Sequence, residues 1–517
     1  MPDRQPAAAP PDRDAFFGAE RVPVLTADEM RAWDERAVRK GIPEPVLMEA
    51  AGRAAAAVIH RHYPEGEFAV CVGSGNNGGD GLVVARTLQA WGRDVVVVKV
   101  GSRLPDEKLL HGWNPTIADF SESVVFRFES AVLVDALLGT GSTGAPRPPY
   151  DAAIDWMKFR RVVALDGPSG IDFTTGAAAG KAVRAELTVT FGAPKRGLLL
   201  YPGRRHAGRI VAVEIGFDPL DRYGAELLTP AWAAGRLPEI PPHAHKGQMG
   251  RVLVVAGRKG MAGAAVLAGT GALRAGAGYA VLIGPEANRA ILQSALPEAL
   301  FLDRDDLADG FGAGADAVVA GPGMGTDGAS LNLLRQVVAA TECPLLLDAD
   351  ATTLLARHPG LRGEIRAPLL LTPHPGEMGR LLGREAREIV LDPFGAAAEA
   401  AERFGCAVLL KGSPSVVAES GKPALVNVAG HSGIATGGMG DVLSGVIGAF
   451  LAVRREPRDA AGLGLFYAGR AAQLAGRGRG LLPRDVADAL SDALLEPPLA
   501  ESPLGIPGIT LDLHAAY

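Results

Sequence analysis

The feature that most constrains this chain is a rhythm: short apolar runs, each stopped by glycine or aspartate and each followed by a stretch of helical pattern. Upstream the runs are FAVCVG, DVVVVKVG, AVLVDALLG, RVVALDGPSG and ELTVTFGAP; downstream they are RVLVVAG, AGYAVLIG, ADAVVAGPG, CPLLLDAD, APLLLTPHPG and CAVLLKGS. Such alternation reads as βαβ units around a parallel sheet, whose strands are buried on both faces and therefore read as continuously apolar. The rhythm breaks once, in FDPLDRYGAELLTPAWAAGRLPEIPPHAHKG, which gathers prolines at positions 219, 230, 238, 241 and 242. The fold class is therefore α/β in two tandem domains with a boundary near residue 225. The first twenty residues, rich in Pro and Ala with charges at Asp3, Arg4, Asp12, Arg13 and Asp14, read as a flexible tail.

Composition then excludes whole classes of function. A chain of 517 residues has room for two or more domains, and its 67 glycines, close to twice the usual share of ~7%, fit many tight turns. Lys+Arg number 52 against 58 Asp+Glu, a formal charge of -6, so no basic field draws the chain to nucleic acid. Cys71, Cys343 and Cys406 lie far apart with no CxxC pair, which suits neither a disulfide framework nor structural zinc and points to the reducing cytoplasm. The longest apolar stretch, Val442 to Val453, is well short of the ~20 residues a membrane span needs, and the N-terminus has no secretory core. A cytoplasmic, soluble homo-oligomer is expected.

In open parallel sheets ligands gather outside the carboxyl ends of strands, so chemistry is sought in the residues that follow each run. FAVCV ends in GSGNNGGDG, residues 73 to 81, which opens a helix whose free amides can hold phosphate. AVLV ends in Asp135 before LLGTGSTGAP, and VVAL ends in Asp166 before GPSG. One edge thus gathers Asn76, Asn77, Asp80, Asp135, Asp166 and Ser169. Asn77, Asp135 and Ser169 are oxygen donors of the kind hard cations take, with ordinary loop capping as the alternative.

The downstream half is denser. In GHSGIATGGMGDVLSGVIGAFLAV the apolar face Val442, Leu443, Val446, Ile447, Phe450 and Leu451 predicts a helix starting near Asp441. Gly437, Gly438 and Gly440 leave unpaired amides at its positive end, and Asp441 stands where it can take a proton from a hydroxyl, an arrangement for phosphoryl transfer, with a glycine-rich entry capped by Asp441 as the alternative. GPGMG, LDAD, LTPHPGE and KGSPS follow other runs and should line the same edge. Asp348 and Asp350 are acid/base or metal-linked groups or helix caps; Lys246 meets phosphate or is solvated; Glu377 can assist a magnesium shell through water; His374, between two prolines, is a substrate contact.

The ordered motifs LTADEMRAWDERAV, LMEAAG, GNNGGDG, DALLGTG and DGPSG resemble the epimerase half of the NAD(P)H-hydrate repair enzymes over residues 21–225. HKGQMG, GPGMG, LDAD, LTPHPGE, LKGS and ATGGMGDVLSG resemble the ADP-dependent NAD(P)H-hydrate dehydratases over residues 230–510. The resemblance implies a Rossmann-like three-layer αβα domain followed by a ribokinase-like α/β domain. It also implies that Asn76, Asn77, Gly78, Gly79 and Asp80, with Gly139, Thr140, Gly141, Ser142, Thr143, Gly144 and Ala145, hold the hydrated dinucleotides NADHX and NADPHX. By the same resemblance a potassium ion sits on Asn77, Asp135 and Ser169, and Asp166 contacts the substrate near the reacting ring, which makes it the candidate general acid/base.

For the second half the resemblance assigns Ala264, Gly323, His374 and Asp441 to the hydrated dinucleotide. Lys411, Gly412, Ser413, Pro414, Ser415 and Gly440 fall to the adenine nucleotide. Asp441 would deprotonate the ring hydroxyl, the terminal phosphoryl of ADP would move onto it, and phosphate would leave to restore the reduced cofactor, with Mg2+ offsetting charge. Two departures are visible: Gly167 stands where the family more often has an aliphatic residue, and His431 where it usually has Asn. The alternative reading is a ribokinase-like small-molecule kinase fused to a dinucleotide-binding module. A nicotinamide dehydrogenase fits less well, since GNNGGDG replaces the GxGxxG fingerprint.

Overall fold

A computed structural model describes residues 21–121, 128, 131–307, 314–430, 432–454, 456–496 and 508–511. The proposed tail over residues 1–20 and His431 lie outside the described residues. The chain forms two compact units. One takes the described residues up to Tyr223, with Thr229–Trp232 and Gly508–Leu511; the other takes Gly224–Leu228 and the described residues from Ala233 to Glu496.

The first unit is built on strands Phe68–Val72, Val95–Lys99, Thr116–Asp119, Val132–Ala136, Val162–Leu165, Leu187–Phe191 and Arg209–Val213. All neighbours among these run parallel. From Phe68–Val72 the chain builds outward through Val95–Lys99 to Thr116–Asp119, then returns to add Val132–Ala136 on the other side. Strand order thus reverses between Phe68–Val72 and Val132–Ala136, which opens a crevice at their carboxyl ends. Alternate residues of a strand face opposite layers: Val70 and Val72 join a core with Met30, Trp33, Ala55, Ile59, Leu82 and Val83, while Ala69 and Cys71 join one with Ile154, Trp156 and Met157. Helices thus cover both faces, the three-layer arrangement expected.

The helix Ala27–Arg39 starts as the sequence predicts, with Thr26 accepting from the Glu29 N–H and Glu29 capping back, a full capping box. The helix Glu44–His62 lies hard against Asn76–Ala90; a Cβ on Gly52 would come within 2.4 Å of Val83 Cβ. One strand was not foreseen. Gly508–Leu511, at the very end of the 230–510 span expected for the second domain, pairs antiparallel with Arg209–Val213 and extends the first unit's sheet.

The second unit's sheet runs Ala225–Leu227, Ala424–Asn427, Ser415–Ala418, Ala407–Leu410, Leu369–Leu371, Leu345–Leu347, Ala317–Ala320, Arg251–Val255, Tyr279–Gly284 and Leu300–Asp303. It is parallel from Leu300–Asp303 to Ala407–Leu410. Ser415–Ala418 then runs antiparallel to both its neighbours. Its order reverses between Arg251–Val255 and Ala317–Ala320. Glycine lets the helix Met439–Arg454 sit close to its neighbours: a Cβ on Gly445 would be 1.8 Å from the Ala268 carbonyl oxygen, and one on Gly448 would be 2.6 Å from Val319 Cγ2. Val446, Ile447, Phe450 and Leu451 are buried, as their spacing predicts.

Candidate functional site

In the first unit a cleft of about 920 Å³ opens at the crevice. Asn76, Asn77, Asp80, Gly139, Thr140, Gly141, Ser142 and Asp166 line it, so three strand ends that lie far apart in sequence meet there. Thr143, Gly144 and Ala145 are not among its lining residues; Ala145 packs against Gly180 instead. Gly78 and Gly79 serve packing: a Cβ on Gly78 would strike the Gly73 carbonyl oxygen at 2.0 Å, and one on Gly79 would strike Met48 Sδ at 2.5 Å. Ser74 and Gly75 line the cleft as well.

Asn77, Asp135 and Ser169 form one knot. Ser169 donates from Oγ to Asp135 Oδ1 (2.7 Å) and from its N–H to Oδ2 (2.8 Å). The Leu138 N–H donates to Ser169 Oγ (3.0 Å), and Asn77 Nδ2 donates to the Leu138 carbonyl (3.0 Å). Burial pushes the Asp135 carboxyl up to about 6, against the pull of hydrogen bonds from Ser169 and Leu137. Among the described residues no ammonium or guanidinium pairs with Asp135, and Asn77 Oδ1 is buried with no hydrogen-bond partner. A buried carboxylate without counter-charge beside an unused amide oxygen is a donor set that suits a hard cation.

Asp166 ends its strand with φ of 63°, a conformation L-residues adopt at a cost. Its carboxylate is held by the fully buried ammonium of Lys195, which also donates to Thr190 Oγ1 (3.0 Å) and the Phe191 carbonyl (2.7 Å). The Phe191 N–H donates to the same carboxylate at 3.3 Å. Lys195 and Asp34 both line the cleft and were not singled out from sequence. Lys195 stands shortly after the run LTVTF, at a strand end like the others, which is the signal that could have found it. The Gly167 departure has a local cause: a Cβ there would lie 2.3 Å from Phe173 Cζ, so the ring fills the space an aliphatic side chain would take.

In the second unit the expected motifs also meet at the reversal of strand order. The Gly257 N–H donates to the Pro322 carbonyl (2.9 Å) and the Arg258 N–H to the Gly323 carbonyl (2.7 Å). Gly323, with φ of 57°, stands against Ala264: a Cβ on it would be 3.0 Å from Ala264 Cβ. A Cβ on Gly321 would be 1.9 Å from the Asp348 carbonyl oxygen, which sets GPGMG against LDAD. Asp350 Oδ2 accepts from the Gly325 N–H at 2.8 Å, so Asp350 pins that loop.

Asp348 is 1% exposed; Lys411 Nζ donates to its Oδ1 (2.5 Å) and Ser444 Oγ to its Oδ2 (2.7 Å). Gly440 adjoins this pair, its virtual Cβ 3.5 Å from Lys411 Nζ. The carboxylate of Asp441, in the first turn of Met439–Arg454, makes no hydrogen bond or ion pair with a described residue. Burial first, then the Asp348 charge, push its carboxyl up to about 7, while Lys411 pulls the other way. Gly412 and Ser415 close the KGSPS turn on each other, the Gly412 N–H donating to Ser415 Oγ at 3.1 Å.

His374 is a helix cap as much as a candidate contact. Its Nδ1 accepts from the Gly376 N–H (3.0 Å) and the Glu377 N–H (3.4 Å), and Glu377 Oε2 accepts from the His374 N–H (2.9 Å). Burial, with Lys411 and Arg380 nearby, lowers the imidazole below its ordinary value, and its Nε2 lies 3.3 Å from Glu377 Oε1. Lys246 is at the opposite edge, its ammonium 5.1 Å from the ring centroid of Tyr279, which begins its strand.

Residues 44–197 match the family model described as YjeF-related protein N-terminus, and residues 252–494 match NAD(P)H-hydrate dehydratase. A relative in Coxiella burnetii, named bifunctional NAD(P)H-hydrate repair enzyme Nnr, is 38% identical over 89% of this chain and 96% of its own. The protein of that name in Escherichia coli is 38% identical over 90% and 93%. A crystal structure of the ADP/ATP-dependent NAD(P)H-hydrate dehydratase from Bacillus subtilis, co-crystallised with ATP and Mg2+, is 31% identical over 52% of this chain and 97% of that one, with a TM-score of 0.47. With both halves matched in order and relatives covered almost end to end, the chain belongs to the bifunctional NAD(P)H-hydrate repair enzymes.

Proposed function

We propose that the first unit interconverts the two epimers of hydrated NADH and NADPH, and that the second uses ADP to dehydrate the S epimer, giving back the reduced cofactor with AMP and phosphate. Adding water to the nicotinamide ring creates a stereocentre; a dehydratase for one epimer strands the other, and an epimerase on the same chain returns it. The single observation that carries the reading is the pair of buried carboxylate–lysine sites at the carboxyl edges of the two sheets, in a chain whose relatives share both halves.

In the second site Asp441 takes the proton of the ring hydroxyl. A base with its carboxyl near 7 is matched to that task at physiological pH. Lys411, Gly412, Ser413, Pro414, Ser415 and Gly440 receive the adenine nucleotide, and the amides of the Gly437–Gly440 turn face the charge that develops on the moving phosphoryl. Ala264, Gly323 and His374 hold the hydrated dinucleotide. Mg2+, when bound with the nucleotide, would supply charge neutralisation to its phosphates.

In the first site Asn76, Asn77, Asp80 and Gly139–Ser142 receive the dinucleotide and Asp166 is an acid/base group. Potassium fits Asn77, Asp135 and Ser169, where it would offset the Asp135 charge and hold the loops. Free Cys71 and Cys406 fit a reducing cytoplasm. No described helix is long and apolar enough to cross a membrane.

The test is a timed assay of each purified epimer with the whole protein, ADP, Mg2+ and potassium. Both epimers should be consumed, the R form only through the S form, with AMP and phosphate released one for one. A stable phosphorylated product and no reduced cofactor would favour the kinase alternative.

A further inference from the structure

Along the helix Ala27–Arg39, Met30, Trp33, Asp34 and Ala37 fall at i, i+3, i+4 and i+7. Met30, Trp33 and Ala37 are buried in the core, so the fourth member of an inward stripe is a carboxylate. Asp34 lines the same cleft as Asp166 and Lys195, and its carboxylate makes no hydrogen bond or ion pair with a described residue. The groups that act on it come from every neighbouring element: Lys195 and Asp166 from the strand ends, Asp80 from Asn76–Ala90, Glu44 from Glu44–His62, and Glu35 from its own helix. Arg31 and Arg39 line the cleft from that helix too. The second unit divides its carboxylates in the same way, Asp348 being tied to a lysine and Asp441 left untied.

We propose that Asp34 is a second catalytic acid/base residue of the epimerisation, working with Asp166 on the reacting ring. The inference rests on the reading of this cleft as the epimerase site. In the hydrate the hydroxyl-bearing carbon adjoins the ring nitrogen. The Asp34 carboxylic acid gives its proton to the hydroxyl; the C–O bond breaks and its electron pair leaves with the oxygen as water. The nitrogen lone pair fills the gap as a C=N bond, leaving an iminium. Water then attacks from the opposite face, its oxygen forming the new C–O bond while the C=N pair returns to nitrogen, and the proton it sheds goes to the Asp166 carboxylate. One proton has moved from Asp34 to Asp166, and the reverse reaction moves it back, so the singly protonated pair serves both directions. Burial supports the role by raising the Asp34 carboxyl to about 6, with Lys195 opposing and Asp166 adding to the rise.

The experiment follows pure S hydrate turning into R hydrate on the whole protein without ADP, between pH 5 and 8 at fixed potassium, with the uncatalysed rate subtracted. Asp34→Asn should lower the rate by about 10²- to 10⁴-fold, Asp34→Glu should restore part of it, and the fall in wild-type rate above about pH 6 should vanish in the residual activity of Asp34→Asn. The ADP-dependent dehydration of the S hydrate should be unchanged. Wild-type rate in Asp34→Asn, or a slowed rate whose pH profile is unmoved, overturns the proposal. Wild-type rate in Asp166→Asn would overturn the reading of the cleft itself and Asp34 with it; loss in Asp166→Asn with none in Asp34→Asn would overturn the role of Asp34 alone.

Discussion

The two sites set the same pair of residue types to different work. In the first unit Lys195 grips Asp166, the carboxylate that stands at the cleft; in the second, Lys411 grips Asp348, which Ser444 binds as well and which is 1% exposed. In the second site the untied carboxyl is Asp441, the one proposed as the base. On that proposal a lysine partner does not mark the catalytic group. What matters is which carboxylate keeps an open side toward the substrate, and the ion pair beside it fixes the field in which that carboxylate titrates.

The largest expected effect separates the sites outright. Asp441→Asn should lower ADP-dependent dehydration by about 10²- to 10⁴-fold while epimer exchange continues, measured on the two epimers separately. Loss of both activities would mean that the sites are not independent. Next comes stability. Lys195→Met leaves Asp166 buried without its partner and should cost about 3–5 kcal/mol in denaturant unfolding of the first unit. Lys411→Met should cost less, because the Lys411 side chain is 20% exposed against 1% for Lys195. Equal losses would break that part of the comparison.

The pH dependence is a smaller effect. As the proposed base, Asp441 would act only when ionised, so the dehydration rate should climb with pH toward a plateau above about 7. A rate that falls over that interval would rule Asp441 out as the base. The same carboxyl has a stability signature. Its folded value is raised, so its favourable contribution is full below the ordinary carboxyl value of 3.8 and is lost as pH rises through about 7. Asp441→Asn should therefore raise the melting temperature at pH 8, by roughly 2–4 °C for each kcal/mol relieved, and the gain should disappear near pH 3.5. The smallest effect expected is steric: Gly167→Val should be tolerated better alongside Phe173→Ala than alone, since Phe173 fills that space.

Much of this was legible because parallel strands announce themselves as apolar runs and their last residues point to one edge. Asp135, Asp166, Gly323 and Asp348 were placed correctly at strand ends by that rule alone. Asp34 escaped because a charged residue in an amphipathic helix reads as solvent-facing, and only packing shows that its stripe points inward. The capping work of His374 was hidden because HPGE signals a substrate loop and a helix start at once. Gly508–Leu511 escaped for a different reason: a short run carries no record of which distant strand it will meet.

That last strand has a consequence for how the molecule is made. Its partner, Arg209–Val213, leaves the ribosome some three hundred residues earlier, so the first unit's sheet must wait with one border uncovered while the whole second unit is synthesised. During that interval the border is open to strands of neighbouring nascent chains, and closure comes only when translation has passed Leu511.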